Sequence, residues 1–114
     1  MTAGRRALGA RGEALAARWY ERHGFTVVDR NWRCREGELD LVVARGSLLV
    51  FCEVKTRSSA AYGTPAEAVT RTKQLRIRRL AVRWLDEHEV RPGALRFDVA
   101  GVTGSQVEVI EAAF

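Results

Sequence analysis

The stretch GELDLVVARGSLLVFCEVKTR, Gly37 to Arg57, decides the fold. Leu39, Leu41 and Val43 alternate with Glu38, Asp40 and Val42, and Leu48 to Val54 is as rich in branched and aromatic residues. Such a pattern reads as two strands joined by a tight turn at Arg45-Gly46-Ser47. A turn spanning Arg45 to Leu48 pairs those two residues, and so sets Asp40 opposite Glu53 and Glu38 opposite Lys55. Period-2 geometry also places Glu53 and Lys55 on one face of the second strand.

Two carboxylates facing each other across a strand pair lie about 5 Å apart at Cβ and repel unless a positive charge stands between them. Mg²⁺ suits that position, because it takes one or two carboxylates and leaves the rest of its shell to water and phosphate. A neighbouring lysine can hold the attacking water or neutralise charge as a phosphodiester is displaced. The residues alone leave a second reading open, in which these charges are the solvated face of a hairpin. Against it, both parities of both strands are apolar, as in a buried central pair, where charges need partners or metal.

An acidic residue in one strand followed by Glu-x-Lys in the next, here Asp40, Glu53 and Lys55, resembles the metal site of the PD-(D/E)xK nuclease superfamily. More of the chain is similar to the small bacterial YraN-like family, related in fold to archaeal Holliday-junction resolvases. The shared features are Gly9-x-x-Gly12-Glu13-x-x-Ala16, Asn31-Trp32-Arg33-Cys34-Arg35, Gly37-Glu38-Leu39-Asp40-Leu41, Phe51-x-Glu53-Val54-Lys55-Thr56-Arg57, Lys73-Gln74, Arg96-Phe97-Asp98-Val99 and Ala113-Phe114. The resemblance implies an α/β, restriction-endonuclease-like domain over residues 1–114, with a mixed central sheet flanked by helices. It implies a Mg²⁺- or Mn²⁺-dependent endonuclease acting on nucleic acid, with DNA, branched DNA included, favoured as substrate. Asp40 and Glu53 would be the metal ligands and Lys55 the catalytic lysine, with Glu13 and Gln74 in support. A homodimer is expected on the resolvase analogy alone. The rival reading is a nucleic-acid-binding module without turnover, and a third is a structural partner with a relic site.

A net charge of +5 and a pI near 10.0 suit a polyanionic partner, and every Lys and Arg except Arg96 precedes Pro92. Arg33, Arg35, Arg57, Lys73, Arg76, Arg79 and Arg83 are the expected contacts with nucleic acid. No apolar run approaches a membrane span and no secretory signal opens the chain, so a cytoplasmic location and no membrane partner are expected. Cys34 and Cys52 have no metal-binding spacing.

The remaining elements follow from periodicity. Gly4 to His23 reads as a helix with Leu8, Gly12, Leu15 and Trp19 in one stripe, and with Glu13 about 140° away from Leu8 at its rim. Phe25 to Asp29 reads as a strand, and Asn31 to Glu36 as a basic loop around Trp32. Arg57 to Gly63 reads as a mobile loop. Thr64 and Glu67 suggest a capping box opening a helix from Pro65 to about Glu87, with Lys73 central in its apolar stripe. Leu95 to Val102 and Gln106 to Ile110 are expected strands, with Asp98 structural.

Overall fold

The computed structural model describes residues 3–58 and 63–114; of the expected mobile loop, 59–62 lie outside that description. Helix α1 (Ala3–Arg22) leads into β1 (Thr26–Cys34), β2 (Gly37–Arg45) and β3 (Leu48–Arg57). A short 3-10 turn (Pro65–Ala68), helix α2 (Arg71–His88), β4 (Ala94–Thr103) and β5 (Gln106–Ile110) follow. The five strands form one sheet in sequence order, antiparallel except between β3 and β4, which run parallel with α2 as the crossover. This is the mixed α/β architecture read from the sequence, and it is compatible with a restriction-endonuclease-like fold.

Each sheet face carries its own core. Leu41, Val43, Val50 and Cys52 meet Ala16, Ala17 and Tyr20 of α1, whereas Leu39, Val42, Leu49, Phe51, Phe97 and Val99 meet Ile77, Leu80, Ala81 and Trp84 of α2. Burial on both faces is why β2 and β3 are apolar at both parities. Trp84, fully buried, lies edge-to-face on Phe51 at 5.7 Å, and its indole N–H donates to Asp29 Oδ2 at 2.8 Å.

Helix α1 presents a different face from the one expected. Of the expected stripe Gly12 is buried but Leu8 is 42% exposed and Leu15 and Trp19 are half-buried, while Ala16, Ala17 and Tyr20 are buried. The smallest side chains face the sheet because the helix axis comes close to it: a Cβ at position 12 would collide with the Thr56 side chain. This rotation carries Glu13 from the rim to the sheet-facing side.

Strand β1 also continues through the expected basic loop, because Trp32 pairs with Leu39, Arg33 with Glu38 and Cys34 with Gly37, while Trp32 and Cys34 pack on the α2-side core. The expected single helix from Pro65 is broken as well. Thr64 makes no side-chain cap, Val69 is extended (φ −100°, ψ 95°) with its side chain 3% exposed in the core, and Thr70 caps α2 by accepting from Lys73 N at 3.3 Å. With the helix starting at Arg71, Lys73 sits in its first turn, on the side of Ile77 and Leu80 but at the open cleft, so it is exposed rather than central in a buried stripe.

Asp98, read as structural, is fully buried and saturated with donors. It accepts from Tyr20 Oη (2.6 Å), Arg96 Nε and Nη2 (2.9 and 3.0 Å) and Ala112 N (3.0 Å), which ties α1 and the C-terminal segment to β4. Tyr20→Phe removes one donor to this buried charge and is expected to cost about 1.5–3 kcal/mol in urea unfolding. An unchanged midpoint would show that Arg96 and Ala112 suffice.

Candidate metal centre

The hairpin register holds as read from the sequence from Arg45↔Leu48 to Leu41↔Cys52, and there the β2–β3 ladder ends. Asp40 and Glu53 are therefore not a ladder pair. Instead the Asp40 side chain reaches into the opening, where Oδ2 accepts from Val54 N at 2.9 Å, a carboxylate standing where a strand carbonyl would.

The pleat slips at the same point. Leu39 and Val42 belong to the α2-side core, but Leu41 and Val43 belong to the α1-side core, so the alternation of β2 shifts by one place around Asp40. In β1 the pairs on either side are Arg30↔Leu41 and Trp32↔Leu39, and Asn31 between them adopts a left-handed φ of 51°. Two kinked strands side by side bring acids from both faces to one gap.

Three carboxylates converge on it. One oxygen each from Glu13 of α1 and from Glu38 and Asp40 of β2 lie within 4.8 Å of one another, all three residues half-buried. The Asn31 carboxamide is assigned with its nitrogen toward the acids, because the opposite orientation would set its oxygen against three carboxylate oxygens; so placed, it donates to Glu38 Oε1 at 2.9 Å and to Glu13 Oε2 and Oε1 at 2.9 and 3.1 Å. Burial, then the charges of Asp40 and Glu38, push the Glu13 carboxyl up from its usual 4.5 to about 7. Burial, then the charge of Glu53, push Asp40 from 3.8 to about 7, against the lowering effect of the Val54 N–H. On its other side Glu53 holds Lys55, with Nζ 3.4 Å from Oε1 and both side chains mostly buried.

Glu53 and Lys55 open with Glu38 into a cleft of about 110 Å³, whose far wall is Lys73, Arg76, Ile77 and Leu80 of α2. Gly37 lines it too; a Cβ there would press on Leu80 Cδ1 at 3.3 Å. The donor set fits a hard divalent cation: it is all carboxylate oxygen, and it is crowded enough that the carboxyls of Glu13 and Asp40 are raised well above their usual range. Glu13, Glu38 and Asp40 would hold such an ion, with Glu53 near enough to Asp40 to raise its pKa.

The other expected site residues divide. Gln74 is occupied in donating from Nε2 to Val69 O at 3.2 Å, closing the break before α2. Lys73 and Arg76 line the cleft, but Arg83 is engaged by Glu36 (2.6 Å) and Glu87 (3.3 Å), and Arg33 by Glu38 (3.4 Å). Arg79 lines a separate shallow cleft with Asp86 and Arg91, Arg35 lies exposed in the β1–β2 turn, and Arg57 Nη1 donates to Gly63 O. Glu38 and Asn31 join the cluster although the sequence reading gave neither a site role. Glu38 shares parity with Asp40 two residues away, a signal that was present; the left-handed turn that aims Asn31 had none.

Comparison with known proteins places this arrangement in a family. The family model described as "Uncharacterised protein family UPF0102" matches residues 12–102, which include all four carboxylates and Lys55. A UPF0102 protein of Frankia casuarinae is 58% identical over 113 residues, covering 95% of this chain and 96% of that protein. UPF0102 proteins of Beutenbergia cavernae and Rhodococcus opacus are 59% and 57% identical over 96 residues, in each case 84% of this chain and 81% of the relative. With its fold, its carboxylate cluster and these matches together, the chain belongs to the UPF0102 family.

Proposed function

We propose that the protein is a Mg²⁺- or Mn²⁺-dependent endonuclease of the PD-(D/E)xK kind, residues 1–114 acting as one nuclease domain on nucleic acid, with DNA as the favoured substrate. The observation that carries this reading is that Glu38 joins two groups: its carboxylate lies within 4.8 Å of those of Glu13 and Asp40, and it lines the cleft formed by the Glu53–Lys55 pair and the basic wall of Lys73 and Arg76. When bound, a divalent ion supplies charge neutralisation and an acidified water. Glu13, Glu38 and Asp40 present the oxygens that would hold it. Glu53 fixes Lys55 Nζ at the cleft, where the ammonium can donate to a phosphoryl oxygen as charge builds on it. Lys73 and Arg76 bind the flanking backbone.

A binding module without turnover explains the basic wall but not the acids. Four carboxylates beside a phosphate-binding cleft weaken binding unless an ion or a chemical step uses them. The decisive experiment incubates labelled duplex, single-stranded, flap and four-way-junction DNA, and RNA, with Mg²⁺ or Mn²⁺, scoring cleavage and retention separately. Retention without cleavage of every substrate would replace the nuclease by the binding module.

The cations at the cleft also define the footprint. Lys73→Glu with Arg76→Glu is expected to lower affinity and to flatten the log–log salt dependence by roughly 0.9 for each phosphate that is no longer neutralised on duplex DNA. Arg83→Glu should change the slope little, since Glu36 and Glu87 already engage that guanidinium. The reverse ranking would move the nucleic-acid path to the β1–β2 turn and the outer face of α2.

A further inference from the structure

We propose that Asn31 is the positioning residue that assembles the metal centre, its side-chain amide shared between Glu13 and Glu38 so that an acid from a helix and an acid from a strand stay close enough to hold one ion. The proposal rests on the reading of the cluster as a metal centre. Glu13 and Glu38 come from elements with no covalent reason to be near each other: α1 lies against one face of the sheet, whereas β2 is a strand within it. Two carboxylates left to themselves would turn apart into solvent, because like charges at this range repel. An amide nitrogen has two hydrogens, one for each acid, and the distances of 2.9 Å to Glu38 Oε1 and 2.9 Å to Glu13 Oε2 are those of good hydrogen bonds.

The backbone is built to deliver that amide. Asn31 lies between the Arg30↔Leu41 and Trp32↔Leu39 pairs, hence alongside Asp40, and its φ of 51° is a conformation that asparagine tolerates better than most residues with a Cβ. Neighbours on both sides are fixed: Trp32 packs on the α2-side core, and Asp29 accepts from the Trp84 indole. The amide is thus set on a rigid part of β1 although Asn31 itself is exposed. Hydrogen-bond partners that orient metal ligands in this way are commonly worth 10–100-fold in metal affinity. Exposure to water puts Asn31 at the lower end of that range.

Asn31→Gly separates the two contributions of the residue, since glycine takes a positive φ freely but has no amide. The variant is expected to fold, with its thermal midpoint close to that of the wild type, and to bind Mn²⁺ about tenfold more weakly by calorimetry. Unchanged or tighter binding would overturn the proposal, the second by showing that the amide competes with the ion. A measurement without metal tests the bridge itself. The two Nδ2 proton resonances of Asn31, identified by their loss in Asn31→Gly, should both move in Glu13→Gln and in Glu38→Gln, and movement in neither would refute the sharing. A wild type that binds no divalent ion would refute the metal reading of the cluster and with it the assembly role, whatever the resonances show.

Discussion

On the proposed nuclease reading, replacing Lys55 by methionine is expected to slow phosphodiester cleavage about 10²–10³-fold, the usual loss when one preorganised donor to a developing oxyanion is removed. Substrate retention should change by less than about threefold, because Lys55 is one cation beside Lys73 and Arg76 and acts mainly where charge develops in the transition state. Methionine keeps the unbranched stem that passes through the cleft wall and removes only the ammonium. The fold should survive, although Glu53, 17% exposed, loses the partner that Nζ provides at 3.4 Å. The measurement is single-turnover cleavage set beside filter retention on the same substrate. Equal losses in both would mean that Lys55 binds ground state and transition state alike, which is the signature of a phosphate-binding group rather than a catalytic one.

The sheet and the residues at its centre were legible in the sequence for a physical reason. Strands buried on two faces must be apolar at both parities, so charges in their interiors, such as Asp40, Glu53, Lys55 and Asp98, stand out against that background. The first three lie at or beside the cleft, and the fourth is the buried anion that ties Tyr20, Arg96 and Ala112 together. The hairpin register was legible too, since Arg45 and Leu48 close a turn whose length fixes every later pair. Beyond Leu41 it ceased to be informative, because the strands part there and a side chain takes over the hydrogen bond.

The helices were less legible: in α1 tertiary packing overrode periodicity, whereas in α2 Ile77, Leu80 and Trp84 do form the buried stripe and it was the helix start that moved. In α1 the expected stripe ran through Leu8, Gly12, Leu15 and Trp19, but close packing favours the smallest residues, so Ala16 and Ala17 join Gly12 against the sheet and Leu8 does not. The same rotation explains why Glu13, a rim glutamate by arithmetic, lies among the acids. In α2 the expected N-cap, Thr64, fell six residues before the observed one, Thr70, because Val69 contributes more buried in the core than in a helical turn. Asn31 was hidden for a third reason: a left-handed residue inside a strand has no periodic signature at all.

The acid cluster carries the second large expected effect, a stability that falls as pH rises. Glu13 goes from a usual 4.5 to about 7 and Asp40 from 3.8 to about 7, so between about pH 4 and pH 7 the folded chain binds more protons than the unfolded one. Free energy of unfolding then declines with pH through that window, the reverse of the behaviour of salt-bridged carboxylates. Each pKa unit corresponds to about 1.4 kcal/mol for a fully sequestered group, but Glu13 is only half-buried and water screens its share, so the loss between pH 5 and pH 8 should be about 2 kcal/mol. Asp40→Asn removes one of the two titrations and part of the repulsion that raises the other, while burial still raises Glu13, so its profile should be clearly shallower than that of the wild type. Divalent metal should invert the sign for the wild type, because the ion needs the ionised carboxylates: stabilisation by Mn²⁺ grows with pH as affinity rises, and Asp40→Asn should show almost none. Urea unfolding of both proteins at several pH values, with and without Mn²⁺, reads all of this. Parallel pH profiles for wild type and Asp40→Asn, together with equal stabilisation by Mn²⁺, would dissociate Asp40 from any metal centre and leave the nuclease reading without its main ligand.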